Sequence, residues 1–217
     1  MHLHSRYSPD SAMPVREILK VAARRDIQGV AITDHNRLAG SEKARRLARE
    51  TGLLSIRGME LSAREGHILV YGLQEPVPPR LPAAEALEKI REQGGLAVAA
   101  HPYRFWSGLG EAVVRKVPFG GVEGLNARTT RRDNRRAEQL AQDLGLPMTA
   151  GSDAHRFADI GRGLLVLADG YETEGDLLAA IRKGRGRPVG LSRGAGHTVR
   201  YVTKAVGEWM LRGFRRM

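Results

Sequence analysis

Apolar residues follow two alternating patterns along the chain, one with a helical period and one in short continuous runs. The stretch 15–25 repeats its apolar residues at helical spacing, whereas 29–33 is a short, mostly apolar run typical of a strand. The alternation predicts helices over 15–25, 41–51, 83–93, 131–144 and 175–183. It predicts strands over 29–33, 53–57, 67–71, 96–100, 121–125, 147–150 and 164–167. Ser41 is the expected N-cap of the second helix, and Gly52 its end.

Strands that alternate with helices indicate an α/β fold with a parallel sheet wrapped by helices. No boundary is evident before about Pro188, so we expect one domain over 1–189. Residues 190–217 are expected to form a glycine/arginine-rich linker and a basic amphipathic C-terminal helix. The apolar face of that helix would comprise Val199, Val202, Val206, Trp209 and Met210. Such a helix packs on its own domain or on a partner subunit more often than on a membrane.

Composition narrows the class of protein. The 217 residues include no cysteine, which excludes disulfides and thiolate zinc sites. No run of about 18 apolar residues is present, so we expect no transmembrane segment. An apolar leader segment is also missing at the start, and we expect a cytoplasmic protein.

The net charge of +11 is concentrated at the C-terminus. From Arg182 to Met217 there are ten Lys or Arg residues and one acidic residue, Glu208. Such a tail can contact a short nucleic acid or an anionic membrane, or it can serve only as a solvated segment. Aromatic residues make up only 5% of the chain, which argues against extensive base stacking.

Blocks of histidine and carboxylate residues follow the predicted strands and hold six of the seven histidines. The blocks are His2-Leu3-His4 with Asp10, Thr33-Asp34-His35-Asn36, Glu60 with His67, Ala100-His101-Pro102, and Gly151-Ser152-Asp153-Ala154-His155. Imidazole and carboxylate together are typical ligands of divalent metals. Because the carboxyl ends of barrel strands meet on one face, the blocks predict a metal centre there.

Local spacing suggests which side chains point into that centre. His2 and His4 are two residues apart and share a face of an extended segment, as do Asp153 and His155. We expect His35 to be a ligand and Asp34 to orient a neighbouring imidazole.

Several of these residues could instead have an ordinary structural role. Pro102 favours an extended conformation at His101. Asp10 alone could be a turn or capping carboxylate, and His67 alone a half-buried strand histidine. His197 is interpreted as an incidental surface histidine.

As an ordered set, these blocks resemble the motifs of the PHP (polymerase and histidinol phosphatase) superfamily over about residues 1 to 190. The resemblance implies a distorted seven-stranded (β/α) barrel that hydrolyses phosphoesters with two or three divalent metal ions. It implies one metal on His2, His4, Glu60 and Asp153, a second on Asp10, His35 and His155, and a third on Glu60, His67 and His101. Mn²⁺, Fe²⁺ or Zn²⁺ would suit such ligands. Relatives usually carry a few apolar residues before His-x-His, so we expect a clipped first strand here or a start upstream of Met1.

A metal cluster can neutralise a phosphate, activate water and stabilise the leaving oxygen. We therefore expect the residues that carry catalysis to be Asp153, His155, Glu60 and His35. Substrate phosphate is expected to contact Arg104, Arg128 and Asn126, although both arginines could be surface charge. The arginines of the 131–144 helix, at 131, 132, 135 and 136, are interpreted as a solvated face.

The most direct functional hypothesis is a phosphomonoesterase that acts on a nucleotide or a phosphorylated small molecule. Alternatives are a 5′-3′ exonuclease on short oligonucleotides and a 3′,5′-nucleoside bisphosphate phosphatase. Histidinol phosphatase ranks lower because the chain is short for that branch. A different class, a non-catalytic metal-binding module, would be expected to lack ligands, and none of the expected ones is missing.

Overall fold

The computed structural model describes residues 1–168 and 170–193, which form a mixed α/β fold. The helices are α1 Val15–Ala23, α2 Ala39–Thr51, α3 Ala83–Glu92, α4 Glu111–Lys116, α5 Arg131–Asp143 and α6 Glu174–Arg182. The strands are β1 Gly29–Ile32, β2 Leu54–Ser62, β3 His67–Tyr71, β4 Leu96–Ala99, β5 Gly121–Asn126, β6 Met148–Gly151, β7 Gly163–Val166 and β8 Arg187–Gly190. The predicted C-terminal helix and His197 lie outside the described residues.

Six strands form one curled sheet in the order β1-β2-β3-β4-β5-β6. The pairs β1-β2, β4-β5 and β5-β6 are parallel, but β3 is antiparallel to both of its neighbours. The prediction of a wholly parallel sheet is therefore wrong at β3. Only residues 63–66 separate β2 from β3, which is too short for the helical crossover that parallel neighbours need. As a result, the first residue of β3 lies beside the last residue of β2, with Ser62 opposite His67.

The N-terminal segment joins the two edges of the curled sheet. Leu3 O accepts a hydrogen bond from Thr33 N at the end of β1 (2.7 Å), and His4 N donates to Ala154 O after β6 (3.0 Å). Leu3 forms only an isolated bridge with Ala154 and no strand of its own. The main sheet of the described residues thus has six strands, where the resemblance implied seven.

Alternate strand residues face the helices or the interior of the curled sheet. Ile68 and Val70 of β3 pack in a cluster with residues of α3 and α5, whereas Leu69 and Tyr71 face inward. The inward cluster also contains residues of α6, including Leu178. Because Tyr71 ends β3, α6 covers the end of the sheet opposite His67. That leaves the other end available for the polar residues.

Several predicted elements differ from those observed. Ser41 lies inside α2, which begins at Ala39, and its hydroxyl donates to Leu38 O. The strand predicted near 164–167 is β7, which pairs with β8 in a separate two-stranded sheet. Neither α4 nor β8 was predicted. Among the described helices, none is long and apolar enough to cross a membrane.

Candidate metal centre

All nine residues predicted as metal ligands lie in one cluster at the end of the sheet opposite α6. His2, His4 and Asp10 come from the N-terminal segment, and the rest come from the strands or the loops after them. The latter are His35 after β1, Glu60 in β2, His67 at the start of β3, His101 after β4, and Asp153 and His155 after β6. Glu60 was expected beyond its strand, but β2 is longer than predicted and contains it.

The centre of the cluster is the Glu60 carboxylate, which is enclosed by five imidazoles. Its Oε1 atom lies 2.8 Å from His67 Nδ1 and 3.0 Å from His101 Nε2. Its Oε2 atom lies 3.2 Å from both His2 Nε2 and His4 Nε2, and 3.5 Å from His35 Nδ1. Each oxygen therefore faces a different set of nitrogens, which is the arrangement required of a carboxylate that bridges two cations.

One group of donor atoms has the spacing of a tetrahedral metal site. His2 Nε2 and His4 Nε2 lie 3.2 Å apart, and Asp153 Oδ1 lies 3.7 and 3.4 Å from them. Glu60 Oε2 completes the group at 3.2 Å from both nitrogens. Ligands about 2.1 Å from a tetrahedral ion are separated by about 3.4 Å, so these residues fit a divalent cation.

A second group lies nearer the surface. Asp10 Oδ2 is 2.7 Å from His155 Nε2 and 3.4 Å from His35 Nε2. His4, Asp10 and His155 also offer ligand atoms that could hold one ion. His4 offers ligand atoms to both groups, and His35 of the second group also lies near Glu60 of the first, so the donors form one continuous set.

Glu123 is a site residue that sequence reasoning missed. It is fully buried, and its Oε1 atom accepts a hydrogen bond from His2 Nδ1 at 2.9 Å. Its Oε2 atom accepts from the backbone N of His101 (2.9 Å) and from Asn126 Nδ2 (3.0 Å). Burial alone would raise the pKa of Glu123, but His2 and His101 hold it below its usual value. A charged residue within the apolar run 121–125 was the signal that could have revealed it.

The proton position on His2 follows from this contact. An ionised carboxylate can only accept, so His2 Nδ1 donates to Glu123, and Nε2 is the ring atom that faces the cluster. A carboxylate behind a histidine in this way is typical of metal-ligating imidazoles. Gly151 permits the close approach, because a Cβ atom there would collide with the Cβ atom of His2.

Asp34 does not orient an imidazole, contrary to expectation. Its two oxygens accept from Ser5 N (2.6 Å) and Ser5 Oγ (2.7 Å). Burial raises the pKa of Asp34. The residue therefore fixes the turn that follows His4, and a Cβ atom at Gly40 would collide with it.

The backbone is strained at two candidate ligands. His101 has φ 27° and Asp153 has φ 48°, values that residues other than glycine seldom adopt. The extended conformation expected at His101 before Pro102 is therefore wrong. Hydrogen bonds from its backbone N to Glu123 and from its ring to Glu60 hold it in place. Strain of this kind is concentrated at functional sites.

Both predicted phosphate-binding arginines contact Asp153. Arg104 Nη2 lies 2.6 Å from Asp153 Oδ2, and Arg128 Nη1 lies 3.4 Å from Oδ1 and 2.7 Å from His155 Nδ1. Burial alone would raise the pKa of Asp153, but Arg104, His2 and Arg128 hold it well below its usual value. Asn126 is fully buried and accepts a hydrogen bond from Arg104 at 2.8 Å.

Among the described residues of the cluster, Asp10, His155 and the neighbouring Arg128 are the most exposed to solvent. The side chains of Asp10, His155 and Arg128 are 20%, 15% and 29% exposed, whereas Glu60 and Asp153 are 2% exposed. A substrate would therefore meet the Asp10, His155 and Arg128 side first.

Comparison with known proteins decides the family. The model of the PHP domain matches residues 1–112, and that of the PHP-associated region matches residues 131–185. The chain belongs to the PHP domain family. Membership confirms that the chain is a PHP phosphoesterase. It thereby also confirms the expected enzyme class, the metal-dependent phosphoric ester hydrolases.

The chain covers different fractions of the length of its relatives in the family. It is 40% identical over 138 residues to an uncharacterized protein of Methanocaldococcus jannaschii. The matched region covers 58% of this chain and 80% of that protein. It is 35% identical over 96 residues to the 3′,5′-nucleoside bisphosphate phosphatase of Chromobacterium violaceum, or 42% of this chain and 32% of the phosphatase. The matched part is thus only about a third of that enzyme.

A solved structure supports the fold. A two-domain protein of Bacteroides vulgatus that contains a predicted PHP-like metal-dependent phosphoesterase superposes with a TM-score of 0.71 at 20% identity. The alignment covers 88% of this chain and 63% of that one. At this identity the likeness concerns the fold alone.

Proposed function

We propose that this chain hydrolyses phosphomonoesters of nucleotides or small molecules at the His/carboxylate cluster. The observation that carries the proposal is the position of Glu60, whose two oxygens face separate groups of imidazoles. In the overall reaction, water adds to phosphorus and the bond to the leaving alcohol oxygen breaks. That oxygen takes a proton, which gives an alcohol and inorganic phosphate.

We expect the cluster to bind two or three cations. His2, His4, Glu60 and Asp153 would hold one, Asp10, His35 and His155 a second, and Glu60, His67 and His101 a third. The mixed nitrogen and oxygen donors suit Mn²⁺, Fe²⁺ or Zn²⁺. Bound cations would neutralise the phosphate dianion, lower the pKa of water and stabilise the leaving oxygen.

The other side chains position and balance charge. Arg128 lies at the open side and would bind a phosphate oxygen, while Arg104 keeps Asp153 ionised and in place. Burial and the nearby His4 lower the pKa of His155, so its ring is neutral at neutral pH and able to donate a lone pair. Asn126 would act through its contacts with Arg104 and Glu123.

We also infer that the segment 2–4 occupies the position of the seventh strand of the barrel. Its hydrogen bonds to Thr33 and Ala154 support this, because they link the two edges of the six-stranded sheet. Loss of those bonds would displace His2 and His4 together.

The test combines metal analysis with phosphate release. Purified protein is assayed by elemental analysis and, under Mn²⁺, with nucleoside 3′,5′-bisphosphates, AMP, histidinol phosphate and a short oligonucleotide. We expect two or three metal ions per chain and turnover of a monoester that falls at least 1000-fold, roughly, in Asp153→Asn. Asp26→Asn, at an exposed position between α1 and β1, is the matched control.

The possible failures are distinct. Bound metal without turnover of any compound would overturn the proposed activity but retain the metal centre. Protein without metal after incubation and desalting would overturn both.

A further inference from the structure

An open cavity of about 400 Å³ lies directly beside the metal centre. Arg104 lines this cavity and also contacts Asp153 Oδ2 at 2.6 Å. Thr129, another lining residue, accepts a hydrogen bond from Arg104 at 3.3 Å. A molecule in the cavity would therefore be separated from the metal ligands by a single side chain. The volume lies in the range of ordinary small-molecule sites.

Two neighbouring aromatic side chains form one wall. Phe105 is 85% exposed and Trp106 is 38% exposed, and their rings lie edge to face with centroids 4.8 Å apart. Large aromatic groups seldom remain exposed side by side without a partner, because burying them is strongly favourable. The pair therefore marks a surface suited to a flat, apolar ligand group.

The turn that carries the pair is anchored at both ends. Arg104 N donates to His101 O (2.9 Å), and Gly108 N donates to Arg104 O (2.8 Å). His67 N donates to Ser107 O (3.0 Å), which fastens the turn to the start of β3. The same backbone thus positions two candidate metal ligands and the aromatic pair.

Another wall of the cavity is cationic. Arg132 and Arg136, from the first turns of α5, line it together with Arg193, against the single acidic residue Asp133. Arg136 lies over the Tyr103 ring at 3.9 Å, and Asp133 accepts a hydrogen bond from Thr130. Arg132 and Arg136 were expected to belong to a solvated face; both are exposed, and both line this cavity next to the centre. They could bind an anionic group at some distance from the phosphate that reacts.

We propose that this cavity binds the nucleoside part of a nucleotide that carries a second phosphate. The base would stack on Phe105 and Trp106, and the second phosphate would contact Arg132 and Arg136. Stacking on aromatic rings tolerates any base, because every base has a π-face. This inference rests on the proposed phosphomonoesterase function and specifies its substrate class.

Steady-state kinetics test the cavity directly. Adenosine 3′,5′-bisphosphate is compared with ribose 5-phosphate, which lacks the base, and with a short oligonucleotide. In Phe105→Ala, KM for the bisphosphate is expected to rise at least tenfold, roughly, with kcat and the KM for ribose 5-phosphate unchanged. In Arg132→Ala, KM for the bisphosphate should rise while that for AMP does not.

Matched controls are available in the chain. Phe157 is exposed but does not line the cavity, and Arg135 is an exposed residue of the same helix that does not line it either. Neither Phe157→Ala nor Arg135→Ala should change KM for the bisphosphate. Equal effects of Phe105→Ala on the bisphosphate and on ribose 5-phosphate would overturn the proposal. So would an oligonucleotide that is preferred a hundredfold, because the occupant would then be a nucleic-acid strand.

A binding measurement separates this inference from the proposed activity. The chain has two tryptophans, so in Trp209→Phe the fluorescence reports Trp106 alone. Saturable quenching by adenosine 3′,5′-bisphosphate in metal-loaded protein, weakened tenfold by Arg132→Ala, is expected even if no compound is turned over. Absence of quenching would overturn the cavity assignment whether or not the protein hydrolyses phosphoesters.

Discussion

The Nδ1 atom of His2 lies 2.9 Å from Oε1 of Glu123, and neither side chain is exposed to solvent. The pair lies behind the ligand cluster, where Glu123 also receives the backbone N of His101. One carboxylate therefore orients two candidate ligands that are about a hundred residues apart in sequence.

Replacing Glu123 with Gln should weaken metal binding without removing a ligand. The amide cannot reproduce all three accepted hydrogen bonds, so the rings of His2 and His101 lose orientation. Loss of such a partner typically lowers metal affinity about 10- to 100-fold. Competition with a fluorescent chelator measures the change, and Glu138→Gln on the exposed face of α5 is the control. An unchanged affinity would show that the contact does not set the orientation of His2.

Glu60→Gln should lower the number of bound metals rather than only their affinity. The amide nitrogen of Gln cannot act as a ligand, so one of the two groups of imidazoles loses its carboxylate oxygen. We expect at least one fewer ion per chain and a loss of activity of at least about 100-fold. Elemental analysis after desalting provides the count, with Glu88→Gln on exposed α3 as the control. Full metal content in Glu60→Gln would contradict a bridging role.

Metal affinity should rise with pH from about 6.5 to about 9. Burial opposes protonation of His4, but hydrogen bonds to Asp153 and Glu60 outweigh it and raise its pKa to about 9. Below that value, a metal must displace a proton from His4, so affinity should increase about tenfold for each pH unit, and more steeply where His2, whose pKa is also raised, must lose a proton as well. Burial and Arg104 lower the pKa of His101 to about 4, so that ring is already neutral.

The measurement is a chelator titration at several pH values, corrected for protonation of the chelator. Metal-free stability responds in the opposite direction: the raised pKa of His4 stabilises the folded state below the unfolded value of about 6.5, and this contribution is lost as pH rises through about 9. A metal affinity that stays constant across this range would show that His4 is neutral before binding.

Arg104→Ala should destabilise the metal-free protein more than the metal-loaded one. Arg104 and Asp153 are both largely buried, and removing one partner of such a pair costs about 3–5 kcal/mol. A bound cation would compensate for the positive charge that the substitution removes, so the difference should shrink when metal is present. Chemical denaturation with and without chelator gives both values. Arg115→Ala, at an exposed surface pair, should change stability little in either state.

The sequence predicted the membership of the cluster because most of its residues follow strands that end at the same edge. His35, His101 and Asp153 are examples, which follow β1, β4 and β6. Strands β4 and β6 are each parallel to β5, and β1 is parallel to β2. His67 reaches the same edge for a different reason, since it begins an antiparallel strand. The four-residue connection 63–66 could have indicated that reversal.

Contacts between distant polar residues could not be predicted. Asp34 binds Ser5, and Glu123 binds His2, and nothing in the local pattern around either acid names its partner. The aromatic count was also a poor guide, because a low overall content does not reveal that Phe105 and Trp106 are exposed beside the cluster. Position rather than composition decides what such residues can bind.

The bridge between Leu3 and Ala154 has a consequence for the order in which the site is assembled during synthesis. Glu60, His67 and His101 come from three neighbouring strands, and all three have been synthesised once residue 101 is added. The groups that need Asp153 or His155 must wait for another fifty or so residues to leave the ribosome, after which the first residues of the chain can be enclosed. Glu60, His67 and His101 can therefore come together in the nascent chain well before the remaining ligands are present.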